Sequence, residues 1–291
     1  MEMYTLANAQ LTVSVSDAGA ELRSVRDNIS GYEYMWQADP AYWGRTAPIL
    51  FPVVGNYRDK TSYYNGKKYK LGQHGFARDT EFWLFAHSPT ELWFAIKDSE
   101  ETREVYPFRF MLAIGYRLEG RRLTVSYHVH NRDSGRIYFS IGAHPAFNCS
   151  LSSDRLIFDT QKDVVCGILG EGGTLSTRKK TLNLAPEGEG GSLALSPALF
   201  DEDALILERD QTHKVSLVTG ENKRLVELSF QAPVLGIWSP AGKNAPFVCI
   251  EPWYGRTDRA DFNQKLEERE WSNCLGTGED FIQSFTMDFG S

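Results

Sequence analysis

Apolar and polar residues alternate with a period of two along most of this chain, the pattern of strands that bury one face. Leu11, Val13 and Val15 keep the alternation through residues 4–15, and Asp17-Ala18-Gly19-Ala20 turns the chain into a second strand at 21–25. A stretch rich in Gly, Tyr and Trp covers 31–36. Ala41-Tyr42-Trp43-Gly44-Arg45-Thr46-Ala47-Pro48 then reads as a loop that ends in an apolar strand at 49–54. Residues 63–69 form a hairpin, because Asn65-Gly66 supplies the two positive φ angles of a two-residue turn. Short strands recur at 82–86, 92–98, 108–118, 123–131 and 137–140, and later at 205–207, 215–218, 224–230, 234–238 and 281–287. The Gly-rich stretches 167–178 and 186–192 match no phosphate loop and read as hairpin tips. The one helical candidate of note is 259–271, charged and weakly periodic. Strands at this spacing predict an all-β fold, a large antiparallel β-sandwich. No linker composition or fixed repeat divides the chain, so residues 1–291 read as a single domain.

One stretch stands out within that pattern. Phe247-Val248-Cys249-Ile250 is a four-residue apolar run that reads as a buried strand, and Glu251-Pro252-Trp253-Tyr254-Gly255-Arg256 follows it. Glutamate is rarely buried unless it is paired or functional. Proline keeps the residue before it extended. Glu251 is therefore expected at a strand end, facing an opening lined by aromatics. A surface Glu that begins a turn is the competing reading.

Composition removes several classes of function. The 42% hydrophobic content is ample for a core and excludes disorder. A net charge of −7 argues against a nucleic-acid surface. No segment reaches the roughly 18 to 20 apolar residues of a membrane span, and the first 20 residues carry no signal-peptide core. Cys149, Cys166, Cys249 and Cys274 form no Cys-x-x-Cys pair and lie in apolar contexts, as reduced core thiols of a cytoplasmic protein do. The sequons at Asn28 and Asn148 then count as chance matches. Seven Trp, 13 Tyr and 17 Phe suit strands and also clefts that stack sugars.

Two further motifs carry chemistry. Gln73-His74-Gly75-Phe76-Ala77-Arg78-Asp79 holds a histidine beside Gly, and Ile141-Gly142-Ala143-His144-Pro145-Ala146-Phe147-Asn148 holds another after small residues. Imidazole in such a turn suits proton transfer near neutral pH. A hydrogen-bonded structural histidine is the alternative for each. His128 and His130 share a strand face, but no third ligand joins them at a recognisable spacing, so a polar strand face is expected rather than a metal site.

Taken together, the motifs QHGFARD, IGAHPAFN and IEPWYGRTD resemble the aldose 1-epimerase (galactose mutarotase-like) family. The likeness is closest to its LacX-like branch, which is also similar to the hexose-6-phosphate epimerases, and it spans essentially the whole chain. The resemblance implies a β "supersandwich" that interconverts the α and β anomers of an aldose with no metal or organic cofactor. It assigns Glu251 as general base, His144 as general acid and His74 as the second active-site histidine. Arg45, Arg78 and Asp203 would bind substrate, with Asp201 close enough to take the place of Asp203. Trp253, Tyr254 and Trp238 offer faces for a pyranose, or else simply fill the core. The longer Asn-Arg motif of the galactose mutarotases is not cleanly reproduced at Asn56-Tyr57-Arg58, which leaves the sugar open. A sugar-phosphate epimerase and a non-catalytic sugar-binding module are the alternatives. A glycosidase would need paired carboxylates that the sequence does not display. The partner expected is a small sugar, with no nucleic acid and no membrane.

Overall fold

A computed structural model describes residues 1–290 and is built almost wholly from antiparallel strands. One sheet has ten strands, running from Ala185–Glu187 at one edge to Trp83–Ser88 at the other. An eight-stranded sheet faces it and carries the strand Phe247–Tyr254 near its middle. Val248 and Ile250 from that strand and Leu228, Phe285 and Met287 from the ten-stranded sheet belong to one apolar cluster, so the core lies between the two. Leu6, Val13 and Val25 of a three-stranded N-terminal sheet pack into the same cluster. The architecture is the large antiparallel β-sandwich that the alternation predicts.

Local departures from the sequence expectations each have a cause. Residues 4–15 are two strands, Met3–Ala7 and Leu11–Ser16. The carboxamide oxygen of Asn8 accepts the N–H groups of Gln10 and Leu11 and folds a turn between them. The apolar run 49–54 pairs only at Ile49–Leu50. Beyond it Phe51 O instead accepts the N–H groups of Phe76 and Ala77. No α-helix forms at 259–271, where only the single turn Leu266–Glu268 is helical. The stretch has no apolar stripe to bury, and Arg269 is drawn inward to Asp258 Oδ1 at 2.5 Å and Ser140 Oγ at 2.7 Å. Among the described residues the one α-helix is Glu100–Val105, which the alternation does not predict and which a capping box between Ser99 and Thr102 holds.

Other expectations survive. Asn65 and Gly66 take φ of 49° and 75° between the strands Thr61–Tyr64 and Lys67–Lys70. Both Gly-rich stretches contain hairpin tips, between Val164–Leu169 and Leu175–Leu182 and between Ala185–Glu187 and Gly190–Ala194. All four cysteines are free, but Cys274 is exposed rather than in the core. His128 and His130 do find a third group. Asp280, on the neighbouring strand, accepts from both at 2.6 and 2.9 Å on an exposed sheet face. Among the described residues no helix is long and apolar enough to cross a membrane.

Candidate active site

Strand alternation decides which side chains of Phe247–Tyr254 leave the core. Val248 and Ile250 point into it, so Cys249, Glu251 and Trp253 point to the opposite face of the eight-stranded sheet. Glu251 is therefore not at a strand end, as the sequence suggested, but in mid-strand. Gly236 of the strand Val234–Trp238 lies directly beside it. A Cβ on Gly236 would stand 2.5 Å from the Trp253 ring, so the missing side chain gives the indole its place.

His144 reaches the same point from the other side. It interrupts two short strands, Ile141–Ala143 and Ala146–Asn148, that pair with Phe247–Tyr254 in one register, Gly142 with Trp253 and Ala146 with Cys249. That register, continued through the break, puts His144 opposite Glu251. Its Nε2 is 3.3 Å from Glu251 Oε2. His74 arrives on a loop stitched to the segment after Ile49–Leu50: its N–H donates to Gly55 O, and Phe51 N–H donates to His74 O. The backbone of His74 is left-handed, with φ of 65°, a conformation that costs a non-glycine residue energy. Its Nδ1 accepts the Gly55 N–H at 3.1 Å, so the proton of the neutral ring sits on Nε2.

These side chains line a cleft of about 270 Å³, together with Trp43, Gln73, Arg78, Asp203, Trp238 and Trp253. Trp43 stacks on His144 with ring centroids 4.7 Å apart, and Trp238 meets the same ring edge-on. Tyr254 is not part of this wall; it faces the core and its hydroxyl donates to Gln283. Asp203 lines the cleft and Asp201 does not. Arg45 stands behind Arg78 instead of lining the cleft, donating to Arg78 O and pairing with Asp79 at 2.6 Å. Gln73, Trp43 and Thr257 also line the cleft, and the sequence reading assigned them no role. Gln73 and Thr257 lie within two of the three motifs, whereas Trp43 carries no signal beyond its place in a Gly-containing loop.

The cleft is dry at its floor. Glu251 is 1% exposed, and His74 and His144 are 8% exposed each. Burial holds the Glu251 carboxyl well above the usual range; the Trp253 indole dipole opposes this and Asp203 adds to it. Burial pushes His144 down to about 3, with Arg78 and Arg45 acting in the same direction. His74 is lowered by burial, then by His144 and the two arginines. Burial thus acts in the same sense on both groups, favouring the uncharged form of the carboxyl and of the imidazole. Neither Glu251 oxygen nor His144 Nδ1 nor Trp253 Nε1 has a hydrogen-bond partner within the protein. Buried polar atoms left without partners are costly, and the residues that carry these line one cavity. A polyhydroxylated ligand would satisfy them.

Comparison with known proteins bears on the class of ligand. A family profile described as aldose 1-epimerase matches residues 2–260. Protein LacX (plasmid) of Lactococcus lactis subsp. lactis is 33% identical over 279 residues, 91% of each chain. Among solved structures, a galactose mutarotase related enzyme from Lactobacillus acidophilus is 37% identical, with a TM-score of 0.93 over 100% of this chain and 98% of that one. A galactose mutarotase-like protein from Lactobacillus casei is 30% identical, with a TM-score of 0.90 over 99% of both chains.

Proposed function

Since the chain belongs to the aldose 1-epimerase family, we propose that its cleft interconverts the α and β anomers of a free hexose by acid–base opening and closing of the ring. The observation that carries this reading is the buried Glu251–His144 contact at 3.3 Å, with unpartnered polar atoms around it. Mutarotation removes a proton from the C1 hydroxyl and delivers one to the ring oxygen. The C1–C2 bond of the open chain then rotates, and the steps reverse on the other carbonyl face. Glu251 acts as base and His144 as acid. Sugar hydroxyls that donate to the two free carboxylate oxygens stabilise the ionised form of Glu251, and the proton of the pair then passes to His144. His74, protonated on Nε2, donates to the sugar and orients it. Asp203 and Arg78 take further hydroxyls, and Trp43, Trp238 and Trp253 supply the apolar faces a pyranose packs on.

A sugar phosphate is the second reading, favoured by Arg78, a cleft-lining cation whose Nε makes no hydrogen bond within the protein. The charge arrangement weighs against it. Arg45 and Arg78 both converge on Asp79, at 2.6 and 3.6 Å, so a carboxylate already takes much of the positive field a dianion would need. Polarimetry of freshly dissolved glucose, galactose and glucose 6-phosphate at matched concentration, in low and moderate salt, tests the choice. With a free hexose as substrate, Arg78→Ala weakens the unphosphorylated sugar by about 1.5–3 kcal/mol, the value of a hydrogen bond to a charged group. A preference for the phosphate ester that fades with salt, and that Arg45→Ala or Arg78→Ala removes, would reverse the assignment.

A further inference from the structure

The face of Phe247–Tyr254 that carries Glu251 also carries Cys249, two residues earlier. Cys249 Sγ, a ring nitrogen of His144 and a carboxylate oxygen of Glu251 all lie within 4.8 Å of one another, and all three residues are buried. Among the described residues no other set of three His, Cys, Asp or Glu side chains is gathered in this way. One of these separations is that of a coordination shell. With metal–nitrogen and metal–oxygen bonds of about 2.0–2.1 Å, two ligands of a tetrahedral ion stand about 3.3–3.4 Å apart; His144 Nε2 and Glu251 Oε2 stand at 3.3 Å.

The atoms are also free to bind. Both Glu251 oxygens lack hydrogen-bond partners, so what an ion displaces there is the 3.3 Å approach of His144 Nε2, which it replaces with a bond to each group. Thiolate, imidazole and carboxylate together suit a borderline-soft ion such as zinc, and three protein ligands with an open fourth position form the usual geometry of a reactive zinc site. That fourth position faces the cleft, because His144 and Glu251 line it while Cys249 lies behind them, fully buried.

We propose that Cys249, His144 and Glu251 form a site for zinc-class divalent cations, and that a bound ion and a sugar exclude each other. The ion binds His144 as the neutral imidazole. The thiol proton of Cys249 and the carboxyl proton of Glu251 leave to water, so the metal replaces protons and no electron transfer is involved. The exclusion rests on the catalytic roles given above to Glu251 and His144; the binding does not. The metal-free protein is the active form, and the ion is an inhibitor that enters through the substrate opening. Cys249 is the residue that separates the two functions, since nothing in the reaction requires a thiol there.

Cobalt(II) added to the metal-free protein reads the site directly. The parent should develop a thiolate-to-cobalt charge-transfer band in the near ultraviolet together with the visible absorption of a tetrahedral ion. Cys249→Ala should lose the charge-transfer band while keeping the metal-free mutarotation rate, and Cys249→Ser serves the same purpose if the alanine variant folds poorly. Zinc should inhibit the parent, a chelator should restore it, and inhibition of the variant should be weaker by about tenfold or more. A parent without the band, or zinc inhibition equal in parent and variant, overturns the proposal. A cobalt–thiolate band in a protein that mutarotates no sugar supports the metal site and overturns the catalytic reading instead.

Discussion

At the scale of residues, the proposed chemistry rests on three side chains, and each is set by a different local device. Glu251 is aimed by strand alternation, His144 by a break in pairing that keeps the register, and His74 by a left-handed backbone stitched to residues 51–55. Glu251→Gln retains shape and removes the proton acceptor. Catalysed mutarotation should fall by roughly 100-fold or more, with a melting profile close to the parent's. His144→Asn should abolish most of the rate while weak sugar binding remains, because a carboxamide hydrogen-bonds the ring oxygen but transfers no proton. His74→Asn should be the milder change. Polarimetry decides the order, and a larger loss at His74 than at His144 would exchange the two roles.

At the scale of elements, the cleft is a row of residues across one sheet. Glu251 pairs with Gly236, Gly236 with Ile206, and Ile206 with Gly167, so two of the four positions carry no side chain. The missing side chains leave room for neighbours: the Trp253 indole lies over Gly236 and Leu175 over Gly167, so the two glycines seat side chains that flank the cleft. Gly236→Ala should therefore displace Trp253 and raise KM more than it lowers kcat. Overpacking of this kind costs about 1–3 kcal/mol of stability. Steady-state polarimetry with tryptophan fluorescence measures both effects, and an unchanged KM would remove Trp253 from the sugar-binding wall. The tip between Val164–Leu169 and Leu175–Leu182 closes one end of the cleft, where Thr257 Oγ1 donates to Gly173 O at 2.6 Å.

At the scale of the molecule, the N-terminal sheet is tied to the ten-stranded sheet by a charged clamp. Asp27 accepts the N–H groups of Ile29 and Ser30 through Oδ1 and pairs with Arg121 through Oδ2, while Arg121 also donates to Phe289 O in the last strand. The Ser30 backbone N–H first, and then the Arg121 guanidinium, hold the Asp27 carboxyl well below the usual carboxylate range. A carboxyl lowered on folding stabilises the fold above its unfolded pKa, and that stabilisation drains away as pH falls through the folded value. Asp27→Asn should thus lower stability at neutral pH by about 1.5–3 kcal/mol, the value of a charge-assisted bond. Its difference from the parent should shrink steadily below about pH 4. Denaturant melts from pH 7 to pH 2 check this, and a difference independent of pH would mean that the ionised carboxylate is not what holds the clamp.

Much of this protein is legible in its sequence, and the reasons are local. Period-two alternation needs only neighbours, so the strands and the antiparallel sandwich could be read directly, as could the Asn65-Gly66 turn. The three motifs with Glu251, His144 and His74 stood out because buried ionisable residues beside Gly and Pro are unusual. Long-range pairing was another matter. Where Phe247–Tyr254 ends, that its register sets His144 against Glu251, that Cys249 stands behind them and that Trp43 covers the imidazole all depend on partners about 100 to 200 residues apart. The stretch 259–271 failed as a helix because it has no apolar stripe to bury and because Arg269 is held by Asp258, 11 residues away, and by the distant Ser140. Alternation tells which side chains share a face of a strand, but only the packed sheets decide which faces meet. The low pKa of His144 and the raised one of Glu251 exist only once those faces exclude water.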